Sequence, residues 1–391
     1  MSNNLIEAIR GLRPLMESEA TATDQGSTLS APLVEAFADA GLFHLMVPAS
    51  LGGAEADTDT ILEVLAEASY ADGSVGWSLM ANINSTAYVA YIEPEAAREI
   101  VAQPSGCAAG MFGPMGGLAH KLDDGYQVSG NYQFGSGCAH ATFIGCGTLE
   151  MHNGEMAPAA SNGFPKARCF FLPRGQVEIK DNWDVVGLRG TGSFDYAVPE
   201  QLMDERWSFE LFDARVKSGG PLFELGPVVQ AALCHAGWAL GMGRRALDEI
   251  KDIVCSGRTR MGSTPLREQQ SFQREFSRLT LALKAAEQLT RHTFRAAIDQ
   301  VTTGQPLGEE LINRTRACAS FITQAAEDAM SFAYRQAGSG VMRNPSVLQK
   351  AQRDMMVGGR HLFVDEKNYE DLASQLLQVE SAEAWSHGQI H

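Results

Sequence analysis

The chain has 391 residues, a formal net charge of −16 and a pI near 5.0. That acidic balance argues against nucleic acid or an anionic membrane surface as the main partner, and no run of about 18 apolar residues marks a membrane span. With 45% hydrophobic and 20% charged residues, the composition is that of an ordinary globular protein long enough for two or three domains.

The first twenty residues are polar and amphipathic, with no apolar core or cleavage site of a signal peptide, so export is not expected. Leu5, Ile9, Leu12 and Leu15 recur at helical spacing and predict a helix over Asn4–Ala20. Ser30 can cap a second helix, Ala31–Ala40, which stops at Gly41. A turn-rich loop over Leu42–Gly53 leads to a helix over Thr58–Tyr70. After the Asp72-Gly73 break an apolar helix runs from Ser74 to about Ile92, and a short one follows Pro94.

From Ser105 the texture changes to short runs between glycines. Strands are predicted at Ala108–Phe112, His120–Asp123, Tyr126–Tyr132, Thr142–Leu149, Ala167–Pro173, Val177–Trp183 and Ser193–Val198, with a surface loop over His152–Lys166. Gly125–His140 reads as two short strands ending in a Gly-Ser-Gly-Cys-Ala-His turn. Beyond Glu205 long helical patterns return over Val228–Cys255, Leu266–Val301, Glu309–Gln336 and Pro345–Leu377, ahead of a loose tail, Ser381–His391. Four such helices with glycine-containing connections predict a four-helix bundle. The fold class expected is therefore mainly α with a central antiparallel β domain, divided as 1–104, 105–205 and 206–391.

Seven cysteines show no CxxC spacing and nine histidines no HExxH spacing. The expectation is reduced thiols in a cytoplasmic protein and no metal centre.

Several local words, in this order, resemble the acyl-CoA dehydrogenase superfamily. They are Gly41-Leu-Phe, Val47-Pro and Leu51-Gly-Gly, then Asp72-Gly-Ser-Val-Gly-Trp77, Gly125-Tyr-Gln-Val-Ser-Gly130, Phe134-Gly-Ser-Gly-Cys-Ala-His140, Trp183 to Ser193, and Arg353-Asp354 followed by His361. Most are similar to the superfamily's flavin-dependent hydroxylase branch. The resemblance implies an N-terminal helical domain, a β-barrel middle domain and a C-terminal four-helix bundle, assembled as a homotetramer. It implies the oxygenase component of a two-component monooxygenase. Such a component takes FADH2 or FMNH2 from a separate NAD(P)H-dependent reductase and, through a C4a-hydroperoxide formed with O2, hydroxylates a small phenol- or indole-like substrate. An acyl-CoA dehydrogenase or related flavin oxidase, and a non-catalytic flavin-fold binding protein, are the alternatives. The dehydrogenase chemistry needs a carboxylate base, and Leu362 stands where one common arrangement places it.

By the same resemblance Ser136 approaches flavin N5, although taken alone it is a serine in a tight turn. Phe112, Gly137, Arg189, Thr191 and Ser193 flank the flavin ring. Arg258 contacts flavin phosphates across a subunit boundary, and the Gly338/Gly340 turn approaches the nucleotide part. His361 is the candidate acid–base residue, because histidine titrates in the range that helps remove a phenol or ring N–H proton. His140 either orients its turn or touches the ligand. Trp77 and Met80 are read as core or substrate-pocket wall. Asn82 and Asn84 could hydrogen-bond a substrate but could not act as a base, which makes an indole or other heteroaromatic a competitor to a phenol.

Overall fold

The computed structural model describes residues 2–103, 105–159, 165–257 and 263–379. Six helices open the chain: α1 (Ser2–Gly11), α2 (Arg13–Gly26), α3 (Ala31–Asp39), α4 (Thr58–Ala71), α5 (Gly73–Ala87) and α6 (Pro94–Val101). Asp57 caps α4 and Asp72 caps α5, the latter by accepting the Ser74 and Val75 N–H groups at 2.9 and 3.1 Å. Both α4 and α5 are buried on nearly every face, so they serve as the floor on which the rest of the molecule sits.

Nine strands follow: β1 (Ala108–Met111), β2 (Gly117–Leu122), β3 (Gly125–Gly135), β4 (Phe143–His152), β5 (Glu155–Met156), β6 (Ala167–Pro173), β7 (Glu178–Ile179), β8 (Phe194–Met203) and β9 (Ser208–Glu210). The pairing order is β7-β8-β3-β2-β4-β6-β9, with β1 and β5 also on β4. The antiparallel expectation is corrected here, because the sheet is mixed. β1 runs parallel to the first half of β4 and β2 parallel to its second half. The chain between them, at Pro114–Gly116, keeps its direction, and a proline there has no N–H to give to a ladder. Among the described residues the pairings form an open path and do not close a barrel. Gly125–Gly135 is one strand with two register shifts against β8, not two strands. Val177–Trp183 is strand only at Glu178–Ile179, and β9 lies past the expected domain edge at 205.

The C-terminal part holds α7 (Pro221–Glu224), α8 (Gly226–Cys255), α9 (Gln270–Thr302), α10 (Glu309–Ala337), α11 (Val347–Gly358) and α12 (Lys367–Leu376). α8 packs between α4 and α10, and 20 of its 30 residues are buried. The expected helix over Pro345–Leu377 is in fact two. Gly358 lies so close to Trp238 that a Cβ there would stand 2.2 Å from the indole. Three residues on, His361 adopts an extended backbone (φ −73°, ψ 141°) and caps a 3-10 turn, Leu362–Val364. The break turns His361 towards α8.

A buried ionic knot fixes these parts together. The Lys350 ammonium bridges Asp72 at 2.8 Å and Asp354 at 2.9 Å, and Asp354 accepts the Leu188 N–H at 2.6 Å. Burial works against the Lys350 charge, but the two carboxylates more than offset it and its pKa rises. The loop from β7 to β8 is thereby tied to α5 and α11.

Candidate functional site

Where the sheet, α5, α8 and the α11–α12 break meet there is a cavity of about 170 Å³. Trp77, Met80 and Asn84 reach it from α5, Met111 and Phe112 from the end of β1, and Phe134 and Ser136 from the turn after β3. His235 comes from α8, and His361, Leu362 and Phe363 from the break. No Lys, Arg, Asp or Glu is among the described residues that line it.

On one wall a chain of hydroxyls is hydrogen-bonded end to end. The Trp77 Nε1–H donates to Ser136 Oγ at 3.2 Å, Ser136 Oγ lies 2.7 Å from Ser193 Oγ, and Ser193 Oγ lies 2.6 Å from Thr191 Oγ1. Thr191 gives its one hydroxyl proton to the Leu188 carbonyl at 2.8 Å. Each hydroxyl has a single proton, so Ser193 must donate to Thr191 and Ser136 to Ser193. The chain is therefore polarised away from the cavity, and Ser136 keeps a lone pair on the cavity side. Gly137 seats this turn: its N–H donates to the Thr191 carbonyl at 2.9 Å and its φ is +76°. A Cβ at that position would stand 2.6 Å from the Asn82 amide oxygen.

His140 belongs to this wall but does not line the cavity, so of its two expected roles the geometry favours orienting the turn over touching the ligand. Its Nε2 lies 2.8 Å from Asn82 Oδ1, while Asn82 Nδ2 donates to the Ala108 carbonyl at 3.0 Å. Burial, with Arg174 near, lowers the His140 pKa to about 4, so the ring is neutral and donates from Nε2. Asn82 is fully buried and is corrected from pocket wall to structural tie between α5, β1 and the turn.

The opposite wall is loosely satisfied. His235 and His361 stack with ring centroids 4.3 Å apart, and Trp77 meets them edge-on at 5.2 and 5.5 Å. His361 Nδ1 accepts the Phe363 N–H at 3.3 Å, which leaves the proton of the neutral ring on Nε2. His235 is only 6% exposed and its Nδ1 has no partner. Burial, and then the facing His361, hold its pKa well below the usual histidine range. Asn84 donates to the Tyr88 hydroxyl at 2.9 Å, and its Oδ1 has no partner.

Of the other sequence candidates, Thr191 and Ser193 are buried behind Ser136. Arg189 points elsewhere, bonding the Val185 carbonyl at 3.0 Å and Asp184 at 3.3 Å, which corrects its expected place beside the ligand. Gly338 and Gly340 form a 3-10 turn at the end of α10 and do not line the cavity. Arg258 lies outside the described residues. His235 was not singled out by sequence reasoning. Its only signal is a single polar ring in Leu233-Cys-His-Ala-Gly-Trp238, the most apolar part of α8.

Apolar planar walls from Trp77 and Phe112, the backbone of Gly110–Pro114 and a hydroxyl oxygen with a spare lone pair fit a planar heterocycle edged with N–H and carbonyl groups, as a flavin ring is.

Comparison with known proteins agrees. The family described as acyl-CoA dehydrogenase, N-terminal domain, matches residues 12–100, and that described as acyl-CoA dehydrogenase, C-terminal domain, matches residues 233–366. The indole-3-acetate monooxygenase of Pseudomonas putida is 26% identical over 350 residues, which cover 89% of this chain and 87% of that protein. The oxygenase component of the FADH2-dependent resorcinol hydroxylase of a Rhizobium species is 24% identical over 379 residues, covering 92% and 90%. Among solved structures, XiaF from a Streptomyces species, in complex with FADH2 and glycerol, superposes with a TM-score of 0.87 at 20% identity over 97% of this chain and 96% of that one. The two domain matches together span more than half of the chain and fall on the two helical parts that flank the sheet: the protein belongs to the acyl-CoA dehydrogenase superfamily.

Proposed function

We propose that this protein is the oxygenase component of a two-component flavin-dependent monooxygenase that hydroxylates a small aromatic or heteroaromatic substrate. The observation that carries this reading is the cavity itself. It joins a polarised hydroxyl wall to a pair of stacked histidines, and no carboxylate lies among its described lining residues. Proton abstraction next to a thioester needs such a carboxylate; hydroxylation of an aromatic ring does not.

Ser136, Trp77, Phe112 and the Gly137 turn would hold the flavin ring. The reduced flavin, when bound, supplies dioxygen activation and oxygen transfer. Everything else falls to the chain. The Ser136 hydroxyl would accept an N–H of the ring, Trp77 and Phe112 would keep water off its face, and His361 would meet the substrate as a hydrogen-bonding ring of the wall. The resorcinol hydroxylase relative, by its name, uses FADH2, and the XiaF structure holds it, which supports a reduced flavin here. A separate NAD(P)H-dependent reductase would provide it in passing. Exposed apolar residues on the outer faces of α9 and α10, Leu281, Leu289 and Phe321, support assembly with further copies, read here as a homotetramer. The seven cysteines are all free, which supports a reducing, cytoplasmic setting.

The test is anaerobic titration with reduced and oxidised FAD and FMN. Tight binding of a reduced form and weak binding of the oxidised one is the expected result. A purified protein that holds oxidised flavin tightly, and is bleached by an acyl-CoA, would overturn the proposal.

A further inference from the structure

Two residues that line the cavity each carry a polar atom with no partner among the described residues. His235 Nδ1 and Asn84 Oδ1 are buried and have no partner, and both residues line the cavity. A buried polar atom without a partner costs stability, and where it borders a cavity a bound ligand can complete it. The neighbouring polar groups cannot complete them. Asn84 Nδ2 is committed to Tyr88, and the Tyr88 hydroxyl points on to the Pro227 carbonyl. The His361 ring is stacked on His235 with centroids 4.3 Å apart, so its in-plane N–H does not meet His235 Nδ1. Among the described residues no hydrogen bond fixes the tautomer of His235, so its Nδ1 is free to accept.

We infer that His235 is a substrate-reading residue: with Asn84 it accepts the ring N–H or O–H of an uncharged aromatic substrate, stacked against the His235–His361–Phe363 wall. The absence of any cation among the described lining residues extends the inference to what is turned away. A carboxylate brought into this cavity would lose its hydration with no Lys or Arg to replace it. The substrate class is therefore a neutral indole, phenol or related heteroaromatic without an acid side chain. This differs from the substrate in the name of the Pseudomonas relative. The inference rests on the proposed function for the kind of reaction, but the binding step can be measured without flavin or dioxygen.

Three probes separate the terms in equilibrium binding to the wild-type protein: indole, 1-methylindole, which lacks the N–H, and indole-3-acetate. Loss of one hydrogen bond to a buried acceptor should weaken 1-methylindole about tenfold relative to indole. Indole-3-acetate should bind more weakly still. In His235→Phe the gap between indole and 1-methylindole should shrink to within about twofold, and His235→Asn, which keeps an acceptor, should restore part of it. His361→Phe should retain the gap, because that ring is the donor. Circular dichroism and thermal melts establish that each variant is folded. Equal binding of indole and 1-methylindole to the wild type, an unchanged gap in His235→Phe, or tighter binding of indole-3-acetate than of indole would each overturn the inference. If the gap behaves as expected but no oxygen is transferred, the failure lies with the proposed reaction and not with His235.

Discussion

The two walls of the cavity are built on opposite terms. On the sheet side, from Trp77 through Ser136, Ser193 and Thr191 to Leu188, every hydroxyl proton has a place to go. On the helix side His235 and Asn84 each keep a polar atom without a partner. A hydroxyl chain with one proton arrangement suits a cofactor that must be held in a fixed pose. An unsaturated wall is completed by what binds to it and suits a substrate that must be recognised. Two buried histidines of low pKa differ in another way: both leave Nδ1 without a partner, but His140 is tied through Nε2 to Asn82 and is part of the scaffold, whereas His235 lines the cavity.

The largest effect should come from the helix wall. Replacing His361 with Ala removes a hydrogen-bond donor ring from the cavity wall, and turnover should fall by about 10²–10³-fold, the usual range for losing one donor to developing charge. Binding of reduced flavin should change by less than about threefold. Parallel loss of both would merge the two walls and break the contrast.

The sheet wall should respond in the reverse way. Ser136→Ala strands the Trp77 N–H and takes from Ser193 the proton it accepts, so denaturant unfolding should show a loss of about 1–3 kcal/mol. Reduced-flavin affinity should fall with it, while the preference for indole over 1-methylindole stays. Asn82→Ala should cost a similar amount of stability by releasing both His140 and the Ala108 carbonyl, and it too should leave substrate preference intact. A changed preference in Asn82→Ala would return that residue to the pocket.

The smallest expected effect is on pH dependence. The folded-state pKa of His140 is depressed from 6.5 to about 4. The unfolded chain therefore binds the extra proton first, and stability present above about pH 6.5 is lost as the pH falls towards 4. His235, shifted in the same direction, adds to this from the same upper limit. Melting curves over that window should be flatter for His140→Gln than for the wild type. Identical slopes would mean that the buried ring is not neutral.

The contrast between the walls also marks what was legible in the sequence. The long helices were readable because apolar spacing of three and four is a local signal, seen in Phe272, Leu279, Leu283 and Ala286 along α9. Ser136 and its glycine turn were readable as a turn. The mixed sheet was not, because strand composition does not encode the direction of a partner, and β1 and β2 lie parallel to β4 through contacts distant in sequence. The break at Gly358–His361 was read through as helix because apolar periodicity continues on both sides of it. The roles of His140 and His235 turn on the presence or absence of one distant partner, which no local pattern carries. A lone histidine on an apolar helix reads as core until the cavity beside it is seen.

The central claim, oxygen transfer within this cavity, is tested most directly by one turnover under isotopically labelled dioxygen. The protein is loaded anaerobically with reduced flavin, mixed with a panel of uncharged aromatics headed by indole, and the products are weighed by mass spectrometry. The account predicts a product carrying one labelled oxygen atom, formed with reduced flavin and not with oxidised flavin. Recovery of every aromatic unchanged by a protein shown to be folded and loaded with reduced flavin would contradict it.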